Sequence, residues 1–266
     1  MRFEDFEYDN INLSDFDCIV CTFGTTDMQT ISTSSEITFN TVSTRYGAKN
    51  EVTNTQYDSC IEATFQICKR PDCEKKGKEF YFSIEEVRQI TSWLHRKQYH
   101  PFRILNGEMD DIYFNASFHI SALEYGGNIC GLELTMRTDK PYAFKNEVII
   151  TKSVKKNETF IVLTESDEEE FIYPKTVITL KESGDFTLHN KILDTDFHIK
   201  NCKTNEVITI DYPLISSSDS SHKIQNDFNW EFIQLDHSFR NNMNIFTASL
   251  ACEIQMKYSP VAKIGL

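Results

Sequence analysis

The sequence predicts a mostly β protein made of two β-sandwich domains with one α-helix, and three observations carry that reading. Apolar and polar residues alternate with period 2 along much of the chain. Turn signals recur between short apolar stretches. A single segment carries the punctuation of a helix.

The first half supplies the clearest strands. Ile61, Ala63, Phe65 and Ile67 alternate with more polar neighbours, as do Ile112, Phe114, Ala116, Phe118 and Ile120, and then Cys130, Leu132, Leu134 and Met136. Successive strand side chains point to opposite faces, so each pattern buries one face. Gly126-Gly127 separates the last two runs. Two glycines accept the positive φ of the tight turns that join antiparallel strands, which predicts a hairpin.

The helix is expected near residues 84–97. Ser83 and Glu86 form a capping box, each able to satisfy the other's free backbone N–H. Ile84, Val87, Ile90 and Leu94 fall near one face. His95, Arg96 and Lys97 complement the negative end of the macrodipole, and Pro101 follows soon after. Such a helix would cover a sheet face or edge, with Trp93 adding a large apolar contact.

Asp139-Lys140-Pro141 interrupts the strand pattern and places a domain boundary near residue 142, giving domains 1–141 and 142–266. A further run of strands begins near Val148, with candidates at 160–163, 176–181, 186–190, 197–200, 207–211, 229–233 and 246–258. Ser183-Gly184-Asp185, Pro213 and the serine-rich stretch 216–221 mark turns between them. Many short strands at this spacing predict a β-sandwich.

Composition narrows the function classes. A 40% hydrophobic content with 20 Phe, against only 9 Gly and 6 Pro, describes a globular chain with ample core. Forty acidic and 27 basic residues give a net charge of -13, so the mean field repels phosphate and argues against sequence-specific nucleic-acid binding. The acidic start, with Glu4, Asp5, Glu7 and Asp9, is unlike a secretory signal, and no apolar run reaches the ~18 residues of a spanning helix. Synthesis in a cytoplasm and no membrane partner are expected. Cys18, Cys21, Cys60, Cys68, Cys73, Cys130, Cys202 and Cys252 are then expected as reduced, partly buried thiols.

Chemistry is hard to find. Cys18 and Cys21 form a C-x-x-C, and Cys68 and Cys73 flank a turn with Pro71, so a four-thiolate metal site deserves a test. Residues three apart on a strand point to opposite faces, which argues against it, and no metal is expected. The histidines, including His95 and His100, lack metal-ligand spacing and are expected at the surface. Motifs for acyl transfer, nucleotide hydrolysis and dinucleotide binding are absent from the sequence, so no catalytic residue or cofactor is expected. Asp110 with Asp111, or Asp194 with Asp196, are what a glycoside hydrolase or a calcium site would need, yet such pairs arise by chance in a chain this acidic. The run Glu165, Asp167, Glu168, Glu169 and Glu170 reads as a solvated loop. Trp230 has two readings: stacking on a sugar ring, or core packing, the commoner fate of a Trp flanked by Phe at alternate positions.

Taken in order, several segments resemble the siphophage distal tail protein (Dit) family. They are Phe3-Glu4-Asp5-Phe6, residues 14–21 and 35–39, Trp93-Leu94-His95-Arg96-Lys97, residues 112–118 and 131–135, residues 206–213 leading into 215–218, residues 222–230, and residues 258–265. Family members often carry Asn where His95 stands. The resemblance implies an N-terminal ring-forming β-sandwich with a helix and a C-terminal galectin-like β-sandwich. It implies a homo-hexameric hub, in one ring or two stacked rings, at the tail tip or baseplate of the virion. That hub joins the tail tube protein to a tail-associated lysin or tail tip protein and to receptor-binding protein, and DNA passes through it without specific binding. The resemblance names no ring-interface residues. The competing readings are a carbohydrate-binding module for host cell-wall polysaccharide, with Trp230 as its contact, and, last, a hydrolase using Asp110 and Asp111.

Overall fold

The computed structural model describes residues 4–23, 36–43, 50–71, 80–105, 107–169, 171–237 and 242–264. The chain divides into two compact units, Met1–Phe144 with Lys263–Leu266, and Lys145–Ala262. Each is mostly β.

The first unit contains strands β1 (Asp5–Tyr8), β2 (Ile11–Asn12), β3 (Cys18–Cys21), β4 (Ile37–Ser43), β5 (Asn50–Tyr57), β6 (Glu62–Lys69), β7 (His100–Leu105), β8 (Ile112–Tyr125), β9 (Asn128–Thr138) and β10 (Ala143–Lys145), with helix α1 (Ile84–Leu94) between β6 and β7. Seven strands form one antiparallel path, β2-β1-β7-β8-β9-β6-β3. The predicted hairpin joins β8 to β9 through Gly126 and Gly127, whose φ values of 59° and 78° are those of a two-residue turn that side-chain-bearing residues rarely enter.

This sheet is not flat. Phe6 on β1 and Phe65 on β6 are separated by three strands, and at ~4.8 Å per strand a flat sheet would hold them ~19 Å apart. Their ring centroids lie 5.7 Å apart. The Val20 amide, on the far edge strand, donates to the carbonyl of Glu4 at 3.0 Å. The sheet therefore folds over on itself, and its two halves face each other as layers of a sandwich.

Aromatic rings fill the space between the halves. Phe6, Tyr8, Phe102 and Phe118 are fully buried or nearly so, and Trp93 stacks on Phe6 and Phe16 at 5.8 and 4.6 Å. The Trp93 indole N–H donates to the carbonyl of Tyr8 at 3.0 Å, so even its polar atom is satisfied inside. α1 delivers this ring. Ser83 and Glu86 close the capping box as expected, and Ile90, Trp93 and Leu94 form the buried face. Ile84, expected on that face, is exposed in the first turn. The helix also stops at Leu94 rather than near Lys97, because the next residues are taken by β8: Ser117 Oγ donates to the Arg96 carbonyl at 3.0 Å and His95 Nδ1 lies 2.9 Å from the Phe118 carbonyl.

The second unit contains β11 (Val148–Val154), β12 (Thr159–Leu163), β13 (Lys175–Leu180), β14 (Gly184–Asn190), β15 (Thr195–Cys202), β16 (Val207–Asp211), β17 (Leu214–Ser217), β18 (Met243–Ala248) and β19 (Cys252–Tyr258), with the one-turn helix α2 (Ile224–Asp227) before β18. Two antiparallel sheets result, β11-β19-β13-β16-β17 and β12-β18-β14-β15. Alternate residues of each point inward: Ile178, Leu180, Ile208, Ile254 and Met256 from one sheet, Phe186, Leu188, Ile199 and Phe246 from the other. They form one core.

Two expectations for this unit need correction. The run 246–258 is two strands rather than one, turned at Ser249 to Ala251 and placed in different sheets. Residues 229–233 are not a strand. Trp230 takes φ 65°, the left-handed region, which breaks an extended chain even though the sequence around it alternates.

Candidate functional site

The feature that stands apart from both cores is the ribbon β4–β5. Its two strands pair with each other and, among the described residues, with no third strand. All of its residues except Thr38 and Tyr57 are exposed, including Ile37, Phe39, Val42 and Val52, and Phe39 shows 60% of its surface. A lone two-stranded ribbon is marginal in water. Its free edges and its apolar side chains on both faces are what an interaction with another chain would use. Periodicity could not reveal this ribbon, since a segment with no buried face has no alternation to read.

Trp230, the residue with two sequence readings, lies at the surface: 60% of it is exposed. The core-packing reading is thereby corrected. Phe228 enters the core instead, through an isolated bridge with Ile199 on β15, while the left-handed turn at Trp230 carries the indole outward.

The thiols sort by burial. Burial, then the charge of Asp17, pushes the Cys18 thiol up to about 12, which makes it an inert core residue at neutral pH. The Cys21 side chain hydrogen-bonds to Cys68, an interaction that, with burial, raises it above the ordinary thiol range. Cys21 thus meets the neighbouring strand rather than Cys18, as the strand geometry requires. Cys73 lies outside the described residues. Among the described residues no group of three His, Cys, Asp or Glu side chains is placed to hold a metal ion.

The acidic pairs have local duties. Asp110 accepts the Gly107 amide at 2.9 Å and so closes its own turn. Asp194 sits in a turn at φ 55°, and Asp196 lies 2.8 Å from His189 Nδ1. Residues 165–169 form a connection between strands in which Glu165, Asp167 and Glu169 are exposed, and Glu170 lies outside the described residues.

One histidine departs from the surface expectation. The His222 side chain is 3% exposed, with Nδ1 2.5 Å from Glu206 and Nε2 3.2 Å from Asp227. Burial would raise the Glu206 carboxyl, but hydrogen bonds from Ser217, His222 and the Lys203 amide outweigh it and hold the group below the usual carboxylate range. Lys203 and Glu206 lie in the turn between β15 and β16, Ser217 ends β17, His222 follows it and Asp227 ends α2, so the cluster pins the connection after β17 to the sandwich. Sequence alone could not join positions so far apart.

The fold defines a two-domain β-sandwich protein with an exposed ribbon, β4–β5, which among the described residues pairs with no third strand. The particular family follows from comparison. The chain belongs to a phage tail protein family: residues 1–140 match the phage tail protein N-terminal domain and residues 142–258 the phage tail C-terminal domain. In fold it is similar to the crystal structure of the Dit protein of phage SPP1, described as a paradigm of the hub adsorption apparatus in phages that infect Gram-positive bacteria. The TM-score is 0.66 at 12% identity, over 97% of this chain and 99% of that one. No curated protein sequence matches the chain. Among the described residues no helix is long and apolar enough to cross a membrane.

Proposed function

We propose that this protein is the distal tail hub of its phage: a non-catalytic, homo-hexameric ring at the tail tip. The first unit closes the ring, and the second is a galectin-like sandwich. The observation that carries this reading is likeness in fold to a hub protein over nearly the full length of both chains.

The ribbon supports it physically. A closed ring uses a heterologous contact, in which one surface of each subunit meets a different surface of the next. β4–β5 offers such a surface, with the exposed Ile37, Phe39, Val42 and Val52 and, among the described residues, no third strand on either edge. On this reading it lies against the neighbouring subunit, and the completed ring joins the tail tube protein to the tail tip or lysin component and the receptor-binding protein. A net charge of -13 suits a channel that lets DNA pass without holding it.

Light scattering after size exclusion, over a range of concentrations, tests the proposal. A hexamer, or a dodecamer of two stacked rings, is the expected species. A strict monomer throughout, together with no ring by electron microscopy in the presence of isolated tail tubes, overturns it.

A further inference from the structure

The second unit carries an aromatic ledge that the hub reading does not use. Trp230 lies 5.7 Å from Phe228, Phe228 5.2 Å from Phe232, Phe232 5.1 Å from Tyr212, and Tyr212 stacks on Tyr173 at 4.3 Å, all between ring centroids. Phe228 is buried and anchors the row. Trp230, Tyr212 and Tyr173 are exposed along it. The ring row thus runs from the chain beside β15 to the β16–β17 turn, where the edge strands of the two sheets lie.

The exposure of Trp230 is built rather than left over. A bulky residue at φ 65° is strained, and an indole in water forgoes burial, so both features work against stability. Asn229 holds the conformation in place. Its Oδ1 accepts the amides of His198 at 3.1 Å and Glu231 at 3.3 Å, and its Nδ2 donates to the Asp196 carbonyl at 2.7 Å. The backbone on both sides of the tryptophan is therefore fixed to β15. At the other end Gln234 donates to the Tyr173 hydroxyl at 2.8 Å and sets that ring.

From this geometry we propose that the ledge is a binding site for an uncharged polysaccharide, whose sugar rings stack on Trp230 and Tyr212 and whose hydroxyls meet the groups between them. A row of rings with exposed members at both ends fits a repeating ligand better than a single small molecule. Hydroxyl and carboxylate groups flank it: Tyr173, Tyr212, Glu231 and Asp211, the last paired with Lys175 at 2.8 Å. Lys175 is thereby neutralised, and the whole chain is strongly acidic, so phosphate- or carboxylate-bearing polymers are repelled. The same field excludes single-stranded nucleic acid, which needs a basic groove beside its stacking platform. The proposal does not depend on ring closure, and either can fail alone.

Tryptophan fluorescence of the full-length protein reads the site directly. There are two tryptophans, and Trp93 is buried in the other unit, so ligand stacking should shift only the emission of Trp230. The probes are neutral hexose and N-acetylhexosamine oligosaccharides from tetramers to octamers, with heparin and oligo(dT) as anionic controls. A saturable blue shift with one or more neutral oligosaccharides and none with the anionic pair is expected. Retention in affinity gels cast with the matching polysaccharide should weaken about tenfold in Trp230→Ala, roughly the loss of one stacked ring, and less in Trp230→Phe. Asn229→Ala keeps the indole but frees its backbone, so a several-fold loss is expected there. Absence of any shift or retention across the neutral panel overturns the proposal. So does equal binding of the anionic probes, which removes the charge argument. If Trp230→Ala retains glycan binding but loses assembly with other tail proteins, the ledge is a protein contact and the proposal fails.

Discussion

The two units differ in how they use their aromatic residues, although both bury some rings and expose others. The first turns its rings inward, so that Phe6, Tyr8, Trp93, Phe102 and Phe118 form the core of a sheet folded over on itself, and much of its exposed apolar surface is the ribbon β4–β5. The second fills its core largely with Ile, Leu and Met side chains from two stacked sheets and leaves a row of rings along an edge. The contrast teaches where to look for a contact surface on each unit. Apolar surface that a unit had the means to bury, and displays instead, is the part available to a partner.

The comparison predicts unequal responses to truncation. Trp93→Ala removes the ring that packs α1 on Phe6 and Phe16, and with it the indole N–H donated to the Tyr8 carbonyl, so the first unit should lose about 3–5 kcal/mol. Denaturant unfolding followed by near-ultraviolet circular dichroism checks this, while Trp230 emission reports the second unit. If Trp93→Ala costs no more than an ordinary surface change, the ring core described for the first unit is wrong.

In the second unit the sensitive point is polar. Asn244 Oδ1 accepts the Asp236 amide at 2.7 Å and its Nδ2 donates to the Asp236 carbonyl at 2.9 Å, while Asn190 lies 3.4 Å away. Asn244→Leu keeps the volume and removes both side-chain bonds to the half-buried Asp236 backbone, whose carbonyl still accepts from Thr164 Oγ1 at 3.2 Å, so a loss of about 2 kcal/mol is expected. Amide hydrogen exchange should show the segment before β18 opening first.

A third, pH-linked effect separates the units further. The folded Glu206 carboxyl sits below its unfolded value, so the stabilisation it brings is present above the unfolded pKa of about 4.3 and is lost as pH falls through the lower folded value. Acid should therefore loosen the connection after β17. Glu206→Gln should cost about 1–3 kcal/mol at neutral pH by weakening the bonds to Ser217 and His222, and should flatten the acid limb of the stability profile. A wild-type acid limb that persists unchanged in the variant would assign the titration to another group.

Much of this architecture was legible in the sequence, for a physical reason. The strands β6, β8 and β9 and the hairpin between the last two have one wet face and one dry, so burial writes itself into the sequence as period 2. The capping box at Ser83 is likewise local chemistry. What could not be read depended on contacts between distant segments, or on their absence. The end of α1 is set by β8, twenty-odd residues on. The Phe228, Trp230, Phe232 alternation looks like a strand, and only the Asn229 side chain, bonded to β15, shows why it is not. His222 meets Glu206 across sixteen positions.

The smallest expected change in stability belongs to the ribbon, and it is the sharpest test of the contrast. Phe39 and Val42 make no part of either core, so Phe39→Glu with Val42→Lys should move the unfolding midpoint of the isolated subunit by less than the equivalent of about 0.5 kcal/mol. On the proposed ring reading the same two changes place charge on a subunit contact and should abolish assembly in light scattering, because a buried unpaired charge at each of several equivalent interfaces is strongly unfavourable. Stability and assembly would then separate cleanly: Trp93→Ala damages the fold, whereas the ribbon variant keeps the fold and loses the oligomer. A ribbon variant that still assembles would place the subunit contact elsewhere on the first unit. A ribbon variant that unfolds would mean that β4–β5 packs on its own unit, and the exposed apolar surface would no longer distinguish the two halves of the molecule.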